Sequence, residues 1–201
     1  MKILAPILSL LILFSACSEN NLSIESGNLV YEVNQSMNTK ITNKKEGTSP
    51  YMNEFQASDY IVINGQKTDK FNINDISTQE IEDKKLGKGT QWVINGNHQE
   101  GSINIEKITT LKKYDNYPDL ILVKSSYTNK SEKASISKIV SNQYIINPTG
   151  DSPAYWAFQG SSTSSRSDWI RPLEPGYYDK NYMGMNNSDY GGGIPVVDIW
   201  R

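Results

Sequence analysis

The sequence predicts an all-β chain that folds as an antiparallel β-sandwich behind a cleaved signal peptide. Apolar residues recur with period two or in short runs bounded by turn residues, long helical patterns are missing, and Asn-Gly pairs follow two of the apolar runs. The chain has 201 residues, of which 37% are hydrophobic and 21% charged. This composition supplies a hydrophobic core and excludes a disordered tail, and one cysteine excludes a disulfide scaffold.

The N-terminal segment has the features of a secretory signal. Lys2 is followed by an apolar run over residues 3–14 and by small residues before Cys17. The run is too short to span a bilayer, which takes about 20 apolar residues. Residues 14–17 resemble the bacterial lipobox, in which the cysteine is acylated and becomes the new first residue. The alternative is an ordinary signal peptide with an incidental cysteine.

These features predict three parts of the chain. Residues 1–16 are a lipoprotein signal peptide, residues 17–27 a flexible tether, and residues 28–201 a β-sandwich domain. The expected location is the bacterial cell envelope, periplasmic or at the cell surface, with a lipid anchor at Cys17.

The body of the chain reads as a series of short strands. The expected strands are residues 29–33, 60–63, 92–94, 103–111, 120–127, 136–146, 155–158 and 194–200. Asn64-Gly65 and Asn95-Gly96 predict hairpin turns because both residue types tolerate positive φ. Residues 115–118 and 147–150 predict further turns. A capping-box start and a glycine stop predict one short helix over residues 77–87.

The charge and residue inventory limit the available chemistry. A net charge of −2 provides no basic field for nucleic acid. His98 is the one histidine, expected to be exposed in the turn after Asn95-Gly96, so zinc sites built from histidine and cysteine are excluded. The sequence carries no phosphate-binding loop and no dinucleotide fingerprint. We therefore predict no cofactor and no metal.

The composition changes after Gly150, where aromatic and amide side chains accumulate. Aromatic rings pack on the apolar faces of sugar rings, while carboxylates, amides and arginine bond the hydroxyls. Two other interpretations stay open, that these side chains close the end of the sandwich or form an inter-domain interface. The candidate substrate-binding or barrel-contact residues are Arg166, Asp168, Trp169, Asn181, Asn186, Asn187, Asp189 and Tyr190.

No catalytic residue is predicted from this segment. A glycosidase needs two carboxyl groups about 5 to 10 Å apart. Asp168, Asp179 and Asp189 qualify by number alone, because spacing along loops does not fix that distance.

Four stretches resemble a known family. Residues 158–162 (FQGSS), 166–170 (RSDWI), 181–187 (NYMGMNN) and 189–201 (DYGGGIPVVDIWR) resemble the N-terminal domain of bacterial α-galactosidases of glycoside hydrolase family 36, of the melibiase-like lipoprotein type. The hairpin around Asn64-Gly65 and the strand ending at Asn129 resemble the same domain more loosely.

The resemblance implies a fold and an activity. In that family a galactose-mutarotase-like β-supersandwich precedes a (β/α)₈ barrel and a small β-domain, and two aspartates of the barrel carry out the retaining reaction. This sequence contains no barrel, so we interpret it as an N-terminal portion whose β-sandwich domain is incomplete at its C-terminal end. The family's catalytic aspartates match no position here.

The resemblance predicts the sandwich portion of a lipid-anchored α-galactosidase that is not active alone. The expected partners are an α-galactoside or other glycan, a catalytic barrel and a membrane reached through Cys17, and not nucleic acid. The alternatives are a stand-alone carbohydrate-binding surface lipoprotein and a lipoprotein that docks a protein partner.

Overall fold

A computed structural model describes residues 21–45, 51–146, 155–158, 170–173 and 198–200. The described residues form antiparallel strands and turns and contain no helix, which confirms the all-β prediction. The chain divides into two compact units, unit 1 (Met1–Thr48 with Met52–Ile145) and unit 2 (Ser49–Tyr51 with Ile146–Arg201).

The strands of unit 1 follow the period-two patterns of the sequence. They are β1 (Leu22–Ser26), β2 (Leu29–Val33), β3 (Thr39–Asn43), β4 (Tyr60–Ile63), β5 (Gln66–Thr68), β6 (Asn72–Asp83), β7 (Gly87–Glu100), β8 (Ile103–Tyr114), β9 (Leu122–Asn129) and β10 (Ile136–Val140).

These strands form three antiparallel sheets. The N-terminal sheet has the order β1-β2-β3, the middle sheet β10-β4-β5 and the large sheet β6-β7-β8-β9. One core joins all three, because buried apolar side chains from each sheet pack together as in a sandwich. They include Ile24, Tyr31 and Val33 of the N-terminal sheet, Ile61 and Ile63 of the middle sheet, and Ile94, Ile105 and Leu111 of the large sheet.

The predicted hairpin at Asn64-Gly65 is confirmed. Asn64 has φ 49° and Gly65 φ 83°, and the flanking pair Ile63 and Gln66 closes the two-residue turn between β4 and β5. Two positive φ values define a type I′ turn, whose twist matches that of the strands it joins.

The predicted turn at Asn95-Gly96 is wrong. Both residues lie within β7, which pairs with β6 on one side and β8 on the other. The register with β6 shifts between Ile73 and Asp75, directly opposite this pair. A Cβ at residue 96 would come 2.8 Å from the carbonyl oxygen of Asn72, so the glycine serves close packing beside a β-bulge.

The predicted helix over residues 77–87 is also wrong, because most of this segment belongs to β6. The Asp83 carboxylate accepts hydrogen bonds from the amides of Lys85 (2.8 Å) and Leu86 (3.0 Å). Gly87, expected to stop a helix, has φ 83° and closes the β6–β7 hairpin. Pairing with β7 makes these residues a strand where the local signals predicted a helix.

Strand β1 lies inside the segment predicted as a tether. Ile24 is 1% exposed in the core and Leu22 pairs with Val33, so residues 22–26 are part of the folded core where a flexible tether was predicted. Cys17 and the signal peptide lie outside the described residues.

Unit 2 contains one small antiparallel sheet among its described residues. Its strands are β11 (Trp156–Phe158), β12 (Ile170–Pro172) and β13 (Asp198–Trp200), with β11 in the centre. Strands β11 and β13 lie within the predicted strands 155–158 and 194–200. Trp156 and Ile170 remain 39% and 55% exposed.

Candidate functional site

The contact residues predicted from the sequence all belong to the segment after Gly150. Every one of them, together with the lipidation candidate Cys17, lies outside the described residues. The polar groups that the structure brings together lie instead in unit 1, around Asp59.

Asp59 and Lys107 form a buried ion pair. The Lys107 Nζ atom lies 2.9 Å from Asp59 Oδ2, and the two side chains are only 3% and 4% exposed. Lys107 occupies an inward position of β8, between Ile105 and Thr109, and Asp59 directly precedes β4. The pair therefore links the large sheet to the middle sheet through the core.

The Asp59 carboxylate has three donors. Besides Lys107, the Ser125 hydroxyl donates to Oδ2 (2.8 Å) and the Asn142 amide donates to Oδ1 (2.8 Å). A buried carboxylate needs such donors, because the cost of removing it from water is otherwise several kcal/mol. Lys107 also lies over the Phe71 ring, 5.3 Å from its centroid.

Hydroxyl groups surround this pair on the side of the N-terminal sheet. The Tyr31 hydroxyl shares hydrogen bonds with Thr39 Oγ1 (3.3 Å) and the Tyr144 hydroxyl (3.4 Å), and Thr39 Oγ1 meets Ser58 Oγ at 3.0 Å. Burial raises the pKa of Tyr31 and of Tyr144 above the ordinary value, and the negative charge of Asp59 adds to both shifts. Both phenols therefore stay protonated over the physiological range.

Tyr127 packs against Phe71, the ring over which Lys107 lies. Its ring centroid is 5.8 Å from that of Phe71. Burial and the Asp59 charge raise the pKa of Tyr127 above its ordinary value. Among the described residues, no group stands in hydrogen-bonding geometry to its hydroxyl.

The expectation of an exposed turn histidine is wrong. His98 lies in β7, paired with Ile105, and its side chain is 14% exposed. Nδ1 lies 3.0 Å from the carbonyl oxygen of Lys70. Because a carbonyl oxygen can only accept a hydrogen bond, Nδ1 carries the proton in this one. Nε2 lies 3.6 Å from Glu100 Oε2 and lacks a hydrogen-bond partner among the described residues. The geometry orients the ring, and no hydroxyl group of the described residues is hydrogen-bonded to Nε2.

Two of the open depressions on unit 1 differ in chemical character. One, of about 510 Å³, is predominantly polar and is lined by Glu80, Ile81, Glu82, Lys88, Gly89, Thr90 and Asp115. The other, of about 310 Å³, is a predominantly apolar groove lined by Leu29, Tyr31, Ile41, Ile121, Leu122, Val123, Asn142 and Tyr144. The groove combines apolar surface with amide and phenol groups, which suits an amphipathic ligand better than an ion.

The sequence interpretation missed the Asp59 cluster, although one signal was present. In β8 the inward positions alternate as Ile105, Lys107, Thr109 and Leu111. A lysine on the apolar face of an alternating strand indicates a buried charge, which requires a partner. No comparable signal marks Asp59, which reaches the core from a connection between strands.

Comparisons with known proteins do not assign the chain. No known protein family and no curated protein matches it. Within the described part of the chain, no three or more histidine, cysteine or acidic residues are grouped as a metal site. No helix there is long and apolar enough to cross a membrane.

Proposed function

We propose that this chain is the N-terminal β-sandwich portion of a secreted, lipid-anchored α-galactosidase, which supports a catalytic barrel acting on terminal α-galactosides. The observation that carries the proposal is the motif over residues 189–201, joined to an antiparallel all-β sandwich. The family resemblance implies this combination of motif and fold.

The chemistry of unit 1 is consistent with a supporting role. Its most elaborate polar cluster is the Asp59–Lys107 pair, whose members are at most 4% exposed and which a substrate therefore does not reach. Such a cluster gives the sheets a defined relative register, which favours a rigid support. Under this proposal, residues of the C-terminal segment such as Trp169 and Asp189 contact the barrel or the mouth of its pocket.

The test compares this chain with a version extended through the reading frame beyond Arg201. Both are assayed on a chromogenic α-galactoside. We expect a barrel to be encoded downstream, activity in the extended version and none in the short chain. A downstream sequence without a barrel, together with inactivity of both proteins, would overturn the proposal. Activity of the short chain would show that an active site lies within it.

The groove on unit 1 favours a second candidate, a stand-alone glycan-binding lipoprotein. Tyr144 and Asn142 supply polar groups in its lining, and aliphatic side chains supply a surface for the apolar face of a sugar. This candidate predicts saturable binding of galactosides in calorimetry.

Two variants locate any binding that is found. Loss on Tyr144→Ala would place it in the groove, and loss on Trp169→Ala in the C-terminal segment. Ser126→Ala, an exposed substitution on β9, is the control for both. Calorimetry without heat for any glycan would count against this candidate and leave the first one standing.

A further inference from the structure

The segment Asn142–Ile145, here called the clasp, follows β10 and is the last part of unit 1 before the chain continues into unit 2. It belongs to none of the three sheets. Instead, it is held by hydrogen bonds to a second irregular segment, residues 56–59, which lies between β3 and β4.

The first contact is at Asp59. Its Oδ1 accepts the Asn142 amide at 2.8 Å, while Oδ2 binds Lys107 and Ser125. Beside it, the carbonyl oxygen of Ser58 accepts the Gln143 amide at 2.8 Å. The start of the clasp is therefore connected directly to the buried ion pair.

The second contact is at Gln56. Its Oε1 accepts the Ile145 amide at 3.0 Å, and its Nε2 donates to the Ile145 carbonyl oxygen at 3.1 Å. The backbone of Gln56 meanwhile pairs with Thr39 at 2.8 and 2.9 Å. The glutamine side chain therefore takes the place of one residue of a neighbouring strand.

Apolar burial in the clasp is confined to the ring of one residue, Tyr144. Asn142 and Gln143 are exposed, and Ile145 is 69% exposed. Tyr144 alone reaches inward, where its hydroxyl donates to Asn142 Oδ1 at 3.1 Å and meets Tyr31. Segments held by a few hydrogen bonds and little apolar contact open at a smaller free-energy cost than the sheets around them.

We infer that the clasp is a releasable strap that opens as one unit while the three sheets stay folded. Gln56 closes its outer end and Asp59 its inner end, and the Lys107–Asp59 pair determines how firmly Asp59 is held. Opening separates residues 142–145 from residues 56–59. The inference does not depend on the proposed function.

The test is native-state amide hydrogen exchange of the full chain, followed by NMR or mass spectrometry. Gln56→Ala removes both bonds to Ile145 and leaves the Asp59 contacts in place. We expect the Ile145 amide to exchange about tenfold faster, as loss of hydrogen bonds of this kind implies. The Asn142 and Gln143 amides keep their acceptors in this variant, so they should accelerate by one shared factor if the segment opens as a whole, and β8 amides should not change. Gln79→Ala, an exposed glutamine of β6, is the matched control.

Two outcomes would overturn the inference. In one, Ile145 accelerates and Asn142 does not, so the ends of the clasp open separately. In the other, β8 amides accelerate with the clasp, so opening requires global unfolding. Tyr144→Phe, which keeps the ring and removes the hydroxyl, provides a second and milder variant. It should accelerate both clasp amides by a smaller, equal factor, and an effect on one amide alone would contradict the inference.

Discussion

Lys107 of β8 lies 2.9 Å from Asp59, with both side chains almost completely buried. The two residues are far apart in sequence and lie in different layers of the sandwich. Their pairing joins the large sheet to the connection between β3 and β4, and through the Asn142 amide to the clasp.

Removing the lysine should destabilise unit 1 strongly. Lys107→Met leaves the Asp59 charge buried without its cation, which should lower the free energy of unfolding by about 3–5 kcal/mol. Urea unfolding followed by tryptophan fluorescence measures the change.

Two further variants show whether that change in the free energy of unfolding comes from the buried charge. Lys124→Met, at an exposed position of β9, should stay within about 0.5 kcal/mol of the original protein. Asp59→Asn combined with Lys107→Met should recover part of the loss, because no charge then remains buried. A loss below about 1 kcal/mol in Lys107→Met would contradict a buried pair.

The tyrosine hydroxyls should make stability fall at alkaline pH. Burial raises the pKa of Tyr31, Tyr127 and Tyr144 in the folded state. The unfolded chain therefore loses its phenolic protons first, near pH 10, so the folded chain binds more protons above that pH. The contribution of these tyrosines to the free energy of unfolding should therefore be complete below about pH 10 and should decline as the pH rises above that value.

Ultraviolet titration at the phenolate band and thermal melts across pH 8–12 test this sign. The phenolate signal of the folded chain should lag behind that of the chain in denaturant. Tyr144→Phe should make the decline shallower. A melting temperature that rises between pH 10 and 11 would refute the assignment.

Two glycines should respond to alanine for different reasons. In Gly96→Ala the new Cβ meets Met37 Sδ and the carbonyl oxygen of Asn72, which overpacks the core at a cost of about 1–3 kcal/mol. In Gly65→Ala no atom lies within 4 Å, but φ 83° strains any L side chain, at about 1–2 kcal/mol.

The two causes can be distinguished by a second substitution at Met37, which lies next to Gly96. Met37→Ala should relieve part of the cost of Gly96→Ala and none of the cost of Gly65→Ala, as a double-mutant cycle of urea midpoints measures. Equal coupling at both glycines would contradict the different causes.

The proposed lipid anchor at Cys17 makes a direct prediction. Cys17 is the one cysteine of the chain, so a fatty-acid label supplied to growing bacteria should attach to it and be lost in Cys17→Ser. Several acyl chains would hold the protein in the membrane fraction, since each buried methylene contributes about 0.8 kcal/mol.

The neighbouring Ser18→Ala is the control and should keep the label. Labelling that persists in Cys17→Ser, or a wild-type protein released from the membrane fraction by salt alone, would exclude lipidation at this position.

Much of the strand pattern was predictable because its signals are local. Alternation over 103–111 gave β8, whose inward side chains include Ile105 and Leu111. Asn64-Gly65 gave a hairpin because both residues accept positive φ in any context. The contact residues proposed from the C-terminal segment, such as Trp169, stay predictions.

Local signals failed where distant pairing competes with them. The dipeptide Asn95-Gly96 favours a turn, yet backbone pairing with β6 on one side and β8 on the other keeps it within strand β7. Residues 77–83 carry a capping-box pattern, yet pairing with β7 makes them a strand. Hydrogen bonds across a sheet outweigh preferences of a few tenths of a kcal/mol per residue.

The sequence by itself determined the class of the fold, the position of most strands and the one cysteine available for a lipid, because periodicity and composition are read directly along the chain. Only the tertiary structure decided that Lys107 meets Asp59, that Gln56 substitutes for a strand residue beside Ile145, and that His98 is largely buried. These contacts join residues far apart in sequence, and the burial that makes them matter exists only once the three sheets pack together.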